Sequence, residues 1–193
     1  RDKMLGLAST KAQGSHPYNV VPAHTKRARE VMGPDALLCP EHMVLNETDP
    51  TKARDIARNN LKMYIRLPNY QNNLLQFGFT PEDFEDGGSD KLVDALVCWG
   101  EPDKIAAHMQ EHLDAGATQV CIQAFRADGG LGPDEALLEE ALFDEARDIR
   151  PPDVDPAGGG FPIRRLDDLH AVRRNGDGAA ALDRVGDFAL LDN

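Results

Sequence analysis

The chain has 193 residues, 28% of them charged, with a net charge of −12 at neutral pH. That balance argues against a nucleic-acid binder and against an anionic membrane surface, since both need clustered Lys and Arg. No apolar run reaches the roughly 20 residues that cross a bilayer, so a soluble, cytoplasmic protein is expected.

Residues 3–12 read as a helix, with Met4, Leu7, Ala8 and Lys11 at helical spacing and Gly14 as its stop. A β-leaning run at 15–21 ends at Pro22, which suits the first position of the next helix, and that helix stops at Gly33-Pro34. Residues 37–45 form a second strand candidate, interrupted by Pro40. Asp49-Pro50 is an N-cap followed by proline at N1, and it opens a helix carrying Ala53, Ile56, Ala57, Leu61 and Tyr64. The stretch 67–88 shows no clear period and reads as a long irregular excursion. Ser89 caps a helix through Leu92, Val93, Leu96 and Val97, and Pro102 opens another through Ile105, Met109 and Leu113 to Gly116. Val120 to Ala124 is a short apolar run of the kind found in parallel strands covered on both faces. Three parallel strands, 15–19, 38–45 and 118–124, separated by helical sequence, predict an α/β fold built by βα repetition.

The composition changes after Phe125: residues 127–193 contain no Ser, Thr, Gln, Lys, Tyr, Trp, Met or Cys. Residues 135–146 keep a helical pattern, whereas Pro151-Pro152 and Gly158 to Gly160 read as linker. The expected division is therefore an α/β unit over 1–147 and a poorly packed Pro/Gly/Asp/Arg-rich tail over 148–193. The tail reads either as a non-native extension or as a disordered acidic segment. Cys39, Cys98 and Cys121 have no metal-type spacing and read as buried, reduced structural cysteines.

Four segments carry a resemblance. They are Lys3-Met4-Leu5 with Gly14-Ser15-His16-Pro17-Tyr18; Pro22-Ala23-His24-Thr25; Leu67-Pro68-Asn69-Tyr70-Gln71-Asn72-Asn73 with Phe77-Gly78-Phe79; and Gly88-Ser89-Asp90 through Trp99-Gly100 to Leu113-Asp114-Ala115-Gly116-Ala117. Together they resemble the C-terminal half of the luciferase-like monooxygenase superfamily, and within it the coenzyme F-420-dependent oxidoreductases of actinobacteria. The resemblance implies a partial (β/α)8 TIM barrel comprising the last three strands and their helices. It implies coenzyme F-420, or alternatively FMN, at the C-terminal ends of those strands. It also implies hydride transfer or monooxygenation on a small organic substrate.

Carried onto this sequence, the resemblance implies cofactor contacts at Gly14, Ser15, His16, Pro17 and Tyr18. A glycine there lets the backbone approach a phosphate, and Ser, His and Tyr offer donors; a strand end whose His and Tyr only pack is the alternative. Asn46 and Gln123 at strand ends, with Tyr70, Asn72, Asn73 and Phe77 on the excursion, are candidates for lining the substrate pocket, a packed surface loop being the alternative for the excursion. Glu47 reads as a helix cap. The acid/base residues of the family belong to its first four strands, so the catalytic residues are unknown and enzymatic status is open. The missing N-terminal half or a second copy is the expected protein partner. A non-catalytic half-barrel that acts as a binding module or persists as a gene remnant is the rival reading.

His108-Met109-Gln110-Glu111-His112 matches the spacing of an inverted zinc-peptidase motif. With the apolar stripe on Ile105, Met109 and Leu113 and no third ligand in sight, the string reads as a solvated helix face, and no metal is expected. The acidic clusters at 82–86 and 167–168 lack calcium-loop spacing and read as solvated charge.

Overall fold

The computed structural model describes residues 1–130 and 132–137, all within the first of the chain's two units, Arg1–Asp155. The tail expected from residue 148 lies outside the described residues, as does most of the helix expected at 135–146. Helical backbone is already present at residues 135–137, where Asp134 accepts from the Leu137 amide at 3.1 Å.

Helices and short parallel strands alternate. In chain order they are α1 (Asp2–Lys11), β1 (Gly14–Ser15), α2 (Pro22–Met32), β2 (Leu37–Leu38) and β3 (Glu41–Leu45). There follow α3 (Pro50–Leu61), α4 (Pro68–Leu74), α5 (Asp90–Leu96), β4 (Val97–Trp99), α6 (Pro102–Asp114) and β5 (Cys121–Phe125). β1 pairs with β2, and a three-stranded sheet has the order β4-β3-β5, with every pairing parallel.

Residues 37–45 are the axis of this arrangement, broken into β2 and β3 at Cys39-Pro40, where proline has no amide to donate. On one flank the amides of Leu37, Cys39 and Glu41 bond to the carbonyls of Gln13, Ser15 and Pro17 at 2.8–3.0 Å, and a bridge joins Tyr18 to Glu41. Further along the same flank, Met43 to Leu45 pair with β4. On the other flank Leu38 and Pro40 accept from Thr118 and Cys121, and β3 then pairs with β5 along its whole length.

Local chemistry sets the helix ends. Pro22, Pro50 and Pro102 occupy first turns, and Asp49 and Ser89 accept from the amides of Lys52 and Leu92 as N-caps. Gly33, at φ 79, ends α2 in a conformation that favours glycine. Alanines at 53 and 57 bring α3 close to the core that it shares with Met43, Leu45, Leu92 and Leu96. Across β3, Val44 packs with Ile105 and Met109 of α6.

Arg29 closes the base. Its guanidinium donates to the carbonyls of Gly116 (2.8 Å), Gly33 (2.6 Å) and Ala36 (2.8 Å), and to the Thr118 hydroxyl (3.1 Å), which in turn accepts from the Leu38 amide at 3.0 Å. One side chain thus ties together the loops that lead into β2 and β5.

The excursion at 67–88 is not irregular. It contains α4, with 3₁₀ turns at Leu75–Phe77 and Pro81–Gly87, and buries Leu74 and Phe79 in the core. Elements this short span too few residues to show a period. The helix expected through Val97 ends at Leu96, and Val97 begins a strand instead. The strands expected at 15–19 and 118–124 are shorter and shifted, at Gly14–Ser15 and Cys121–Phe125.

Gly14 supplies a close approach between strands, since an added Cβ would lie 2.0 Å from the Leu37 carbonyl oxygen. Gly14→Ala should therefore cost about 1–3 kcal/mol. Gly6 lies within α1 with nothing within 4 Å of an added Cβ, so Gly6→Ala should stabilise by up to about 1 kcal/mol. Urea unfolding of the two variants should move the midpoint in opposite directions at unchanged m-value.

Candidate functional site

Side chains alternate along β3, and the sheet acquires two chemically different faces. Glu41 and Met43 look toward Tyr18 and Gln123, whereas His42 and Val44 look toward α6.

On the first face the Tyr18 hydroxyl donates to Gln123 Oε1 at 2.8 Å. Tyr64 meets Tyr18 edge to face at 5.1 Å, and Tyr70 meets Tyr64 at 5.5 Å. Burial raises the Tyr18 pKa, with Tyr64 and the Glu41 carboxylate adding to the effect, so its phenol stays a neutral donor. Burial raises that of Tyr70 as well. Three residues that the sequence placed at the cofactor or substrate, Tyr18, Tyr70 and Gln123, therefore share one surface. Tyr64 and Glu41, which the sequence did not single out, complete it.

Asn19 follows Tyr18 directly and is the least satisfied residue of this region. It is 3% exposed, has a positive φ of 53°, and has no hydrogen-bond partner for either amide atom among the described residues. A buried amide in that state costs about 1–3 kcal/mol for each unpaired group, and left-handed backbone adds strain. Both points fit a position shaped for a ligand with one donor and one acceptor.

The rest of the expected cofactor string is otherwise engaged. Gly14 is occupied by its approach to Leu37, and Ser15 pairs with Leu38 in the sheet. His16 uses both ring nitrogens, Nδ1 at 2.7 Å from the Cys39 carbonyl and Nε2 at 2.9 Å from Glu41. Pro17 accepts from the Glu41 amide.

Among the described residues no hydrogen bond or ring contact ties the remaining pocket candidates to Tyr18. Phe77 is half-buried, packs against the core, and meets buried His24 edge to face at 5.6 Å. Asn72 is exposed and its carbonyl accepts from the Gln76 side chain, while Asn73 is half-buried on α4. Asn46 is half-buried just beyond β3. Glu47 anchors the start of α3 by accepting from the Asp49 amide and pairing with Lys52, as a cap does. The three cysteines are free, and burial raises all their thiol pKa values, Cys98 to about 11, so none is an activated nucleophile.

On the opposite face the expectation of a solvated His-x-x-Glu-His string fails. His112 is fully buried and His108 half-buried. His42, from β3, is buried against both rings. The apolar stripe of α6 is wider than Ile105, Met109 and Leu113 because imidazole faces continue it.

No protein-family model matches this sequence, and no curated protein matches it either.

His24 gives a test of the packing around Phe77. Burial lowers its pKa to about 4, against 6.5 when exposed. The native state thus stays neutral while the unfolded chain takes up a proton as the pH falls through 6.5. Stability should drop between pH 6.5 and 4, by roughly 3 kcal/mol for this residue, and no further below that range. In His24→Gln, the slope of unfolding free energy against pH should be shallower over that window by about one proton.

Proposed function

We propose that the chain contributes part of a luciferase-like (β/α)8 barrel and one wall of a site for a flavin-type cofactor, coenzyme F-420 or FMN. The observation that carries this reading is the unpaired, buried amide of Asn19 beside the Tyr18–Gln123 hydrogen bond. Wholly parallel pairing with helical crossovers supports the barrel, because parallel strands need such connections. Ligands of parallel α/β folds gather at strand ends, which is where Tyr18 and Asn19 lie relative to β1.

The residues present fit one portion of such a cofactor. Asn19 supplies an amide donor and acceptor, and Tyr18 a neutral hydroxyl, matching a ring edge or sugar-alcohol chain of alternating donors and acceptors. They do not fit a phosphate at Gly14 to His16. The glycine faces the Leu37 backbone, and Glu41 on His16 would repel an anion.

Bound there, the cofactor would supply hydride transfer to a small organic substrate, and the chain would supply position and a polar surface. Tyr18 would hold its proton toward an acceptor, and Asn19 would fix the register of the ring edge. Tyr64 and Tyr70 would exclude water from one side.

Among the described residues the polar groups of this face are engaged with one another, Tyr18 with Gln123 and His16 with Glu41. The chain alone should therefore show no turnover and at most weak binding. Fluorescence-quenching titration with F-420 and with FMN should show tighter binding once the preceding half-barrel of a luciferase-like protein is supplied in trans. Tyr18→Phe and Asn19→Ala should each weaken binding about tenfold, the scale of one lost hydrogen bond, and His108→Ala should not. Undiminished binding in both Tyr18→Phe and Asn19→Ala, or turnover by the chain alone, would remove this reading.

A further inference from the structure

The sheet face turned away from Tyr18 holds the second concentration of chemistry. β3 sends His42 into the layer beneath α6, where His108 and His112 project from successive turns. The ring centroids lie 4.6 Å (His42–His108), 5.2 Å (His42–His112) and 5.8 Å (His108–His112) apart. One ring nitrogen from each residue lies within 4.8 Å of the other two. We propose that His42, His108 and His112 form a three-imidazole site for a divalent first-row transition metal, with zinc as its simplest occupant.

Two observations carry this. First, Nε2 of all three rings is buried without a hydrogen-bond partner among the described residues. Three such atoms in one place are unusual, because buried polar groups are nearly always paired. A single cation accepts all three lone pairs at once.

Second, two of the rings are oriented from outside. His112 Nδ1 lies 2.9 Å from the Thr25 hydroxyl, and His108 Nδ1 lies 3.3 Å from a Glu111 carboxylate oxygen. An oxygen that accepts from Nδ1–H leaves the Nε2 lone pair free, and metal-binding histidines are held in this way.

The fit requires a small closure. Zinc–nitrogen bonds of about 2.0–2.1 Å in a tetrahedral arrangement hold ligand atoms roughly 3.4 Å apart. The ligand atoms must therefore draw together from a separation of up to 4.8 Å, by as much as about 1.4 Å. His108 has room to do so: its side chain is 19% exposed. It also lines a cleft of about 250 Å³ with Asp94, Cys98, Trp99, Lys104 and Glu111. In the proposed site that cleft would serve as the entry path, with His108 as the ligand nearest to solvent. A sequence reading of α6 alone reaches two of these ligands; the third comes from a strand far upstream.

The test uses the full chain without a histidine tag, stripped with chelator and titrated with zinc by calorimetry and with cobalt by visible absorption. One metal per chain should bind, and zinc should raise the thermal unfolding midpoint. His108→Ala, which changes a residue at the edge of the core, should weaken zinc binding at least a hundredfold. Glu111→Gln should weaken it by a smaller factor, and His16→Ala on the other face should leave it unchanged. X-ray absorption on the zinc-loaded wild-type protein needs no variant, so it decides the matter even if His108→Ala fails to fold. A first shell containing three imidazoles supports the site, and a shell with fewer overturns it. Absence of stoichiometric binding, unchanged affinity in His108→Ala, or loss of binding in His16→Ala would also overturn it.

Discussion

The pleat of β3 is the constraint on which the rest depends. Because successive side chains point to opposite faces, Glu41 and His42 are neighbours in sequence yet belong to different chemical environments. One joins the tyrosine surface and the other the imidazole cluster. A shift of register by one residue would bring the carboxylate beneath α6 and aim the histidine at Tyr18. Partners on both flanks prevent that shift. β1 and β4 hold one edge of the 37–45 run, and β5 with Thr118 holds the other.

Features encoded within a few residues were legible in the sequence. The N-caps at Asp49 and Ser89, the prolines at 22, 50 and 102 and the glycine ending α2 act through their own backbone, so no distant partner is needed to place them. Parallel pairing of three strands followed from helical sequence between apolar runs. β4 was hidden because Val97 continues the helical spacing of Leu92, Val93 and Leu96, and only tertiary pairing to Met43 turns the chain into a strand. The 67–88 stretch was opaque for the opposite reason: its helical turns are too brief to repeat.

The candidate sites divide along the same line. Tyr18, Tyr70 and Gln123 were visible as residue types at strand ends or in an excursion, and the fold brings them together. Asn19 carries no signal in the sequence, because its unusual backbone and unpaired amide exist only after folding. The pair on α6 is visible as a spacing, but no local pattern connects His42 to it. Phe77 shows the reverse case. An aromatic residue in an excursion resembles a pocket wall until a buried histidine is found beneath it.

Arg29 separates the molecule into parts that respond differently to acid. Its partners at the base of the sheet are four loop carbonyls and a hydroxyl, and none of these changes charge in water at any ordinary pH. α3 and α5 are joined differently. Arg54 grips Asp94, Arg58 pairs with Asp90, and Trp99 donates to Asp94 at 2.8 Å. Burial works against the ionised form of Asp94, yet Arg54 and Trp99 hold its pKa below the usual carboxylate range. Protonation removes the attraction there and leaves the guanidinium clamp untouched. Acid therefore acts in two stages: buried His24 beside α2 takes up its proton first, and only at lower pH does protonation of Asp94 loosen the α3–α5 side, while the Arg29 bonds themselves keep their charge state throughout.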